Sequence, residues 1–331
     1  MIPFGVRLAY HRRMKLRIPV LLFAWVFALQ ALGQGYPSKP IRLLVGYPPG
    51  GSGDFLTRVI AEELSRDLGV AVIPDNRPGA GGNIAAEIAS KAPADGYTIL
   101  NGNNHAINKA LYKNPGYKDD DFIPITKVAA GPTVIVVNND LPVYSLRELI
   151  AHAKADPEKL FNAGAGYGSA PHLAATLFES VAGVKFTSVQ FKGGGPAAQS
   201  LIAGDTQVMF ATSPTVTGFI KAGRMRALGV SKRTASPAIP GIPGAEEAGL
   251  PNYEYTFWFG LYVPAGTRPA IVKRLHEAAT RGLARPEVKA KIAIQGMDAA
   301  PSLSPQAFAA DIRTEAPVLQ KIIRDSGAKV E

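Results

Sequence analysis

A short apolar run followed at once by a glycine-rich turn places the tightest constraint on how this chain folds. Residues 40–47 are rich in leucine, isoleucine and valine, as a buried strand is, and the sequence PPGGSGD then interrupts them. Apolar residues recur at helical spacing over residues 56–64. A strand, a tight turn and a helix in this order are the building unit of an α/β fold with mainly parallel sheets.

The same alternation continues along the chain. Further strands are expected at residues 70–74, 97–100, 134–138, 161–165, 189–191, 208–211, 226–230 and 257–263. Helices are expected at residues 84–92, 145–154, 173–181 and 197–203, and helical first turns at Pro269, Pro286 and Pro305.

Two of these strands are predicted to carry the chain between two lobes. They lie around Val134 and Leu261, on either side of a fresh series of strands and helices. We therefore expect two α/β lobes joined by a hinge, with a ligand cleft between them. The first lobe would contain residues 36–137 and 258–331, and the second would contain residues 138–257.

The N-terminus has the pattern of a signal peptide. Residues 1–17 carry five basic residues and no acidic one, and an apolar run of about 15 residues follows, short of the roughly 20 that a membrane span needs. Cleavage is expected after Gly33, which predicts a soluble protein in the periplasm. The alternative is an uncleaved leader that anchors the chain.

Charge and residue usage exclude several kinds of protein. Without the five basic residues of the leader, the 36 Lys and Arg exceed the 26 Asp and Glu by only five, and they form no long block. This favours anionic solutes over nucleic acid. Cysteine is absent, which excludes disulfides and thiolate chemistry. The histidines have no metal-ligand spacing, and no P-loop, dinucleotide or GxSxG motif is present. We expect no cofactor, no metal and no catalytic residue.

Glycine-rich turns after strands are the best candidates for a binding site. They lie at residues 50–54, 79–83, 164–169 and 193–196. Ligands of open α/β sheets bind at the carboxyl ends of strands, where glycine allows close approach and the next helix presents free N–H groups. Such loops could hold a carboxylate without arginine or lysine. Ordinary turn formation is the better explanation of any single loop, but four such loops in one chain favour binding.

Three side chains near these turns have two possible roles. Ser169 could donate to a ligand, with His172 supporting the loop, or it could simply cap the following helix while His172 packs locally. Asp54 is better explained as a residue of a helix start than as a general base.

Taken in order, several longer stretches resemble the receptors of tripartite tricarboxylate transporters, the Bug family. The matching stretches are YPPGGSGDFLTRVIAEELS, DNRPGAGGNIAAEIASKAPADGYTIL, GSAPHLAATLFESVAGV, VQFKGGGPAAQSLIAGDTQVMF, IKAGRMRALGVS and FWFGLYVPAGTRPAIVKRL. The resemblance runs over essentially all of the chain after the leader, and the six stretches in this order make it specific.

The resemblance implies a monomer with a type II periplasmic-binding-protein fold. A small carboxylate would lie between the loops of both lobes, with water molecules bridging it to the first lobe. Carried onto this sequence, the ligand-binding residues would be Pro49, Gly50, Gly51, Ser52, Asp54, Gly79, Gly81, Gly82, Asn83, Asn104, His105, Ser169 and His172.

This sequence departs from the family pattern at a few positions. Gln207 and Ala211 stand where relatives usually carry acids, and Ala170-Pro171 replaces a common proline-serine order. A lost acid at position 211 disfavours a ligand with an ammonium group.

Three functions remain open at this point. The first is a receptor that delivers its ligand to membrane transporter subunits. The second is a sensory receptor that signals to a membrane histidine kinase. The third is a hydrolase that uses Ser169 and a histidine. The sequence does not name the ligand.

Overall fold

The computed structural model describes residues 35–103, 107–157, 159–237 and 239–326. Lys39–Glu331 clusters as one unit, and the architecture below is that of its described residues. Of the N-terminal unit, Met1–Ser38, the structure describes residues 35–38 only. The expected leader, residues 1–33, therefore lies outside the described residues, and so do Asn104 and His105.

Strands and helices alternate as the apolar pattern predicts. The strands are β1 (Ile41–Val45), β2 (Val72–Asn76), β3 (Thr98–Gly102), β4 (Phe122–Val137), β5 (Phe161–Gly164), β6 (Thr187–Gln190), β7 (Val208–Thr212), β8 (Arg226–Val230), β9 (Thr256–Pro264) and β10 (Asp298–Ala299). The helices are α1 (Ser52–Leu68), α2 (Asn83–Ser90), α3 (Leu146–Ala155), α4 (Ala170–Ala182), α5 (Gly194–Ala203), α6 (Ser213–Lys221), α7 (Pro269–Ala284), α8 (Pro286–Ala293) and α9 (Pro305–Ser326).

The strands pair in the order β2-β1-β3-β9-β4-β7-β5-β6, and β8 and β10 also pair with β4. Strands β1, β2 and β3 are parallel to one another, as are β5, β6 and β7. Strands β4 and β9 run antiparallel to their neighbours. The sheets are therefore more mixed than the sequence pattern predicts, because the two connecting strands cross in opposite directions.

Strand β4 is much longer than the strand predicted at residues 134–138. Its first part, through Pro132, pairs with β9, and Thr133–Val137 pairs with β7 and β8. Two register shifts against β9 lie near Pro124 and Val128. Irregular pairing of this kind accommodates a strand proline, which has no N–H to donate, and it disguises the strand in the sequence.

Separate apolar clusters lie on the two sides of these connecting strands. One contains Leu44, Leu100 and Tyr262, and the other contains Val134 and Leu201, all of them buried. We call the side with β1, β2, β3 and β9 the first lobe and the side with β5, β6, β7 and β8 the second lobe. The predicted fold class, two α/β lobes joined at a hinge, is confirmed.

Local signals place most helix starts correctly. The Ser145 hydroxyl accepts a hydrogen bond from the Glu148 amide and caps α3, as the capping-box pattern predicts. Pro269, Pro286 and Pro305 begin α7, α8 and α9. The last helix packs against both β4 and α4, and Trp258 holds it by donating from Nε1 to Glu315 at 2.6 Å. Among the described residues, none of the helices has the length and apolar character to cross a membrane.

Candidate functional site

Four helices begin at the wall of one small cavity of about 30 Å³ between the lobes. We call it the helix-start cavity. Helix α1 reaches it from the first lobe, and α4, α5 and α6 reach it from the second lobe. The first N–H groups of a helix have no partner within the helix, and the helix dipole adds positive potential there. Four such ends directed at one space favour an anion over a cation or a neutral ligand.

Hydroxyl groups supply further hydrogen-bonding atoms to the helix-start cavity. Its walls include the buried side chains of Ser52, Ser169, Thr212 and Thr215. The Ser52 and Thr212 hydroxyl oxygens lie 3.1 Å apart and join the first lobe to the second, and the Thr212 and Thr215 hydroxyls lie 3.0 Å apart. The lobes are thus in contact across the cavity.

Neither Thr212 nor Thr215 is among the site residues predicted from the sequence, because no helix is predicted there after β7. A usable signal is present: Thr212 is the N-cap residue of α6, and Pro214 lies in its first turn. A polar residue followed by an early proline is a known helix-start pattern.

The residues of the first glycine-rich loop face different spaces. Gly51 and Ser52 line the helix-start cavity, whereas Pro49 does not and Gly50 lines a different surface groove. Asp54 is buried and faces its own loop: its carboxylate accepts hydrogen bonds from the Gly50 amide at 3.2 Å and from Asn76 and Arg58, both at 3.0 Å.

These contacts determine the charge of Asp54. Burial opposes ionisation, but hydrogen bonds from Arg58, Gly50 and Asn76 outweigh it, so the pKa of Asp54 lies below its ordinary value. The carboxylate is therefore ionised and fully engaged. Asp54 lies in the first turn of α1, as the helix-start interpretation predicts, and its hydrogen bonds brace the loop.

The second glycine-rich loop approaches the opposite lobe. Gly81 and Gly82 line a pocket of about 20 Å³ together with Asn101, Asn103 and Asn108, which we call the amide pocket. Gly81 has a φ of +63°, and a Cβ there would collide with the main-chain oxygen of Tyr167. Only glycine permits both this conformation and this approach.

The remaining residues of the second loop lie beside these two glycines. Gly79 lines a third cavity, the outer groove, of about 480 Å³. Asn83 is buried beneath the loop, where its Oδ1 accepts hydrogen bonds from Asn108 Nδ2 and Tyr117 Oη. Its position supports the loop. The outer groove shares Tyr47, Pro48 and Ala165 with the helix-start cavity.

Ser169 caps its helix and also lines a cavity, whereas His172 packs within the loop. Ser169 is 1% exposed, lines the helix-start cavity and caps α4, its hydroxyl accepting from the His172 amide at 3.4 Å. The imidazole of His172 instead accepts from the Gly168 amide through Nδ1 at 3.4 Å and packs edge-on against Tyr167. Burial lowers the pKa of His172 to about 4. The histidine is therefore a neutral support for the loop.

This arrangement differs from a nucleophile and its base. The hydrogen bond between Ser169 and His172 joins the hydroxyl to a main-chain N–H, not to the imidazole. Serine hydrolysis needs the base within hydrogen-bond reach of the hydroxyl proton. Within the described chain, no cluster of three or more His, Cys, Asp or Glu side chains has the geometry for a metal ion.

Of the positions that depart from the family pattern, Ala170 and Pro171 line the helix-start cavity, whereas Gln207 and Ala211 lie away from the cavities. Ala211 is fully buried in the apolar cluster of the second lobe. Gln207 accepts a hydrogen bond from the Phe161 amide and donates one to the Gly204 carbonyl. Residue 211 therefore bears on ligand choice only through the packing of β7 beneath Thr212.

The geometry defines a class of protein: a two-lobed α/β binding protein whose cleft is lined by helix starts and hydroxyl groups. Comparison with known proteins gives the family. The family model described as "Tripartite tricarboxylate transporter family receptor" matches residues 56–327, so this chain belongs to that family. The resemblance noted in the sequence is confirmed.

Curated relatives support this assignment over most of their length. The chain is 35% identical over 291 residues to a protein of the tcbD-tcbE intergenic region of Pseudomonas sp. strain P51, covering 87% of this chain and 86% of the relative. It is 34% identical over 301 residues to BugT of Bordetella pertussis, covering 89% and 92%.

Solved structures share the fold. R. palustris Rpa4515 with adipate superimposes with a TM-score of 0.86 at 32% identity, covering 89% of this chain and all of the other. MatC from Rhodopseudomonas palustris with bound malate gives a TM-score of 0.82 at 27% identity, covering 87% and 100%. Both structures contain small dicarboxylates.

Proposed function

We propose that this protein is an extracytoplasmic receptor that binds a small carboxylate in the helix-start cavity. The observation that carries the proposal is the meeting of four helix starts and four serine and threonine hydroxyls at a cavity whose described lining residues include no acidic side chain. Neutral donors held in fixed positions can bind an anion without the desolvation cost of a buried counter-charge. The relatives that contain adipate and malate support this choice of ligand.

Ligand binding would stabilise the closed arrangement of the lobes. Ser52 lies on the first-lobe wall of the cavity, and Ser169 and Thr212 lie on the second. A ligand that contacts both walls binds the closed state more tightly than the open one, and this difference shifts the population. We propose a hinge between a first lobe of residues 36–137 and 258–331 and a second lobe of residues 138–257.

The closed, liganded receptor would deliver its ligand to the membrane subunits of a tripartite tricarboxylate transporter. We further propose that the protein works as a monomer in the periplasm after cleavage of residues 1–33, and that it catalyses no reaction. Mass spectrometry of the periplasmic protein tests export. A mature protein that begins at Met1 would contradict cleavage after Gly33.

Binding is tested by a thermal-shift screen with mono-, di- and tricarboxylates, followed by calorimetry. A ligand at about 100 times its Kd raises the free energy of unfolding by about 2.7 kcal/mol, which is a clear shift. Stabilisation by an amino acid or a sugar, with none by any carboxylate, would contradict the proposal.

Delivery needs a test in cells. Uptake of the labelled ligand should be lost when the gene is deleted and restored by the wild-type chain. Unchanged uptake with a lost transcriptional response to the ligand would favour a sensory receptor instead.

A further inference from the structure

The outer groove adjoins the helix-start cavity but differs from it in chemistry. Both lobes contribute to its walls, through Ile84 and Tyr112 on one side and Tyr167, Phe191 and Lys192 on the other. Tyr47, Pro48 and Ala165 line both spaces, so the two are immediate neighbours. The described residues that line the two spaces and the amide pocket include no acidic side chain.

Lys192 is the one formally charged side chain among these described lining residues. It is exposed, and no ion pair joins it to any described acidic residue. It precedes Gly193–Gly195, whose last two residues begin α5 and line the helix-start cavity. Since two residues of extended chain span at most about 7 Å, the lysine lies close to the anion-favouring wall.

The rest of the groove offers apolar surface. Ile84 is 44% exposed and Tyr167 is 36% exposed, which is high for large apolar side chains that stand at a cleft between lobes. Exposed apolar surface rimmed by polar groups is typical of a site that contacts a ligand. The groove thus combines apolar surface with a single cation, next to the anion-favouring helix starts.

We infer that the outer groove is a second subsite, in which Lys192 binds the distal carboxylate of an elongated dicarboxylate whose apolar spacer lies against Ile84 and Tyr167. This rests on the proposed function, since the first carboxylate occupies the helix-start cavity. The groove therefore selects dicarboxylates over monocarboxylates of equal length, and spacers long enough to reach from one subsite to the other.

Calorimetry on two matched ligand series tests the inference. The probes are succinate, adipate and suberate, with butanoate, hexanoate and octanoate as partners lacking the second charge. Lys192→Met should weaken binding of the longer dicarboxylates by about two- to fivefold and leave the monocarboxylates unchanged, because the ion pair of an exposed lysine contributes about this much. Lys192→Arg should retain the preference, and added salt should reduce it in the wild type.

Two further variants test whether the change in affinity is specific to this subsite. Lys154→Met removes the same charge from the exposed end of α3 and should change no affinity. Ile84→Ser should weaken adipate and suberate more than succinate. The inference is overturned if Lys192→Met weakens mono- and dicarboxylates equally, or weakens neither. Absence of binding of every carboxylate to the wild type would instead contradict the proposed function itself.

Discussion

The two walls of the cleft present hydrogen-bond donors by different means. On the first-lobe wall, Gly51 and Gly81 expose the main chain because they have no side chain. On the second-lobe wall, Ser169 and Thr212 are N-cap residues whose hydroxyls also line the cavity. The main-chain donors of the first-lobe wall stay accessible only while no side chain fills the space beside them. The hydroxyl donors of the second-lobe wall depend on side chains held in place by their helices. Substitutions on the two walls should therefore fail in different ways.

The largest effect is expected from Gly81→Ala. The residue adopts a left-handed conformation, and its new Cβ would collide with the Tyr167 carbonyl oxygen across the cleft. Backbone strain in the left-handed conformation costs about 1 kcal/mol of stability. The collision also blocks closure of the lobes, so affinity for the ligand should fall by more than about 100-fold. Calorimetry measures the affinity, and small-angle scattering should find no compaction on adding ligand.

Gly69→Ala is the matched control for that variant. Gly69 has a similar φ of +72°, but a Cβ at this residue would have no atom within 4 Å of it. The Gly69→Ala variant should lose stability and keep its affinity for the ligand. Equal affinity in both variants would show that Tyr167 does not limit closure.

The second-largest effect is expected on the pH dependence of stability, through His172 beneath the second-lobe wall. Its pKa of about 4 in the folded protein lies below the ordinary 6.5, so the unfolded chain takes up a proton first as the pH falls. Stability should therefore fall between about pH 6.5 and pH 4, by about 2 kcal/mol at pH 5. His172→Gln should flatten this dependence in urea denaturation. Parallel pH curves for the two proteins would contradict the assignment of a neutral histidine.

Ser169→Ala separates a helix cap from a ligand contact. Loss of the cap costs about 1 kcal/mol of stability. Loss of a hydrogen bond to a carboxylate costs about 1.5–3 kcal/mol, or roughly ten- to a hundredfold in affinity. The control is Ser145→Ala, which removes the same kind of cap from α3. If calorimetry finds unchanged affinity in both, Ser169 is only a cap.

The smallest effect is expected at Gly51 of the first-lobe wall. Its φ of −95° suits any residue, and no atom lies within 4 Å of a Cβ placed there. Gly51→Ala should keep the fold and the closed state, and affinity should fall less than about tenfold as the methyl group takes up ligand space. A loss as large as that of Gly81→Ala, measured on the same ligand, would show that the two glycines serve the same purpose.

The sequence predicts those parts of the site that depend on local chemistry. The turn before α1 and the cap at Ser169 follow from glycine, serine and the apolar period around them, so strand, loop and helix are placed within a few residues. The anion-favouring character of the loops also follows from local pattern, because each loop leads into a helix.

What the sequence does not predict depends on contacts between distant segments. The approach of Gly81 to Tyr167 and the contact between Ser52 and Thr212 join different lobes, and no local pattern encodes either. Lys192 is one of many scattered lysines until the fold places it at a groove whose described walls have no acidic side chain. Asp54 could have been a ligand contact or a brace, and only its partners decide between them.

Strand β4 has a consequence for how the molecule folds and evolves. Its first part completes the pairing with β9, while its last residues pair with β7 and β8. Neither lobe can be expressed alone without leaving a central strand unpaired or missing, which exposes main-chain groups to water or to aggregation. We therefore expect neither lobe to fold when it is expressed alone. Recombination between relatives should succeed at surface loops and fail within this strand.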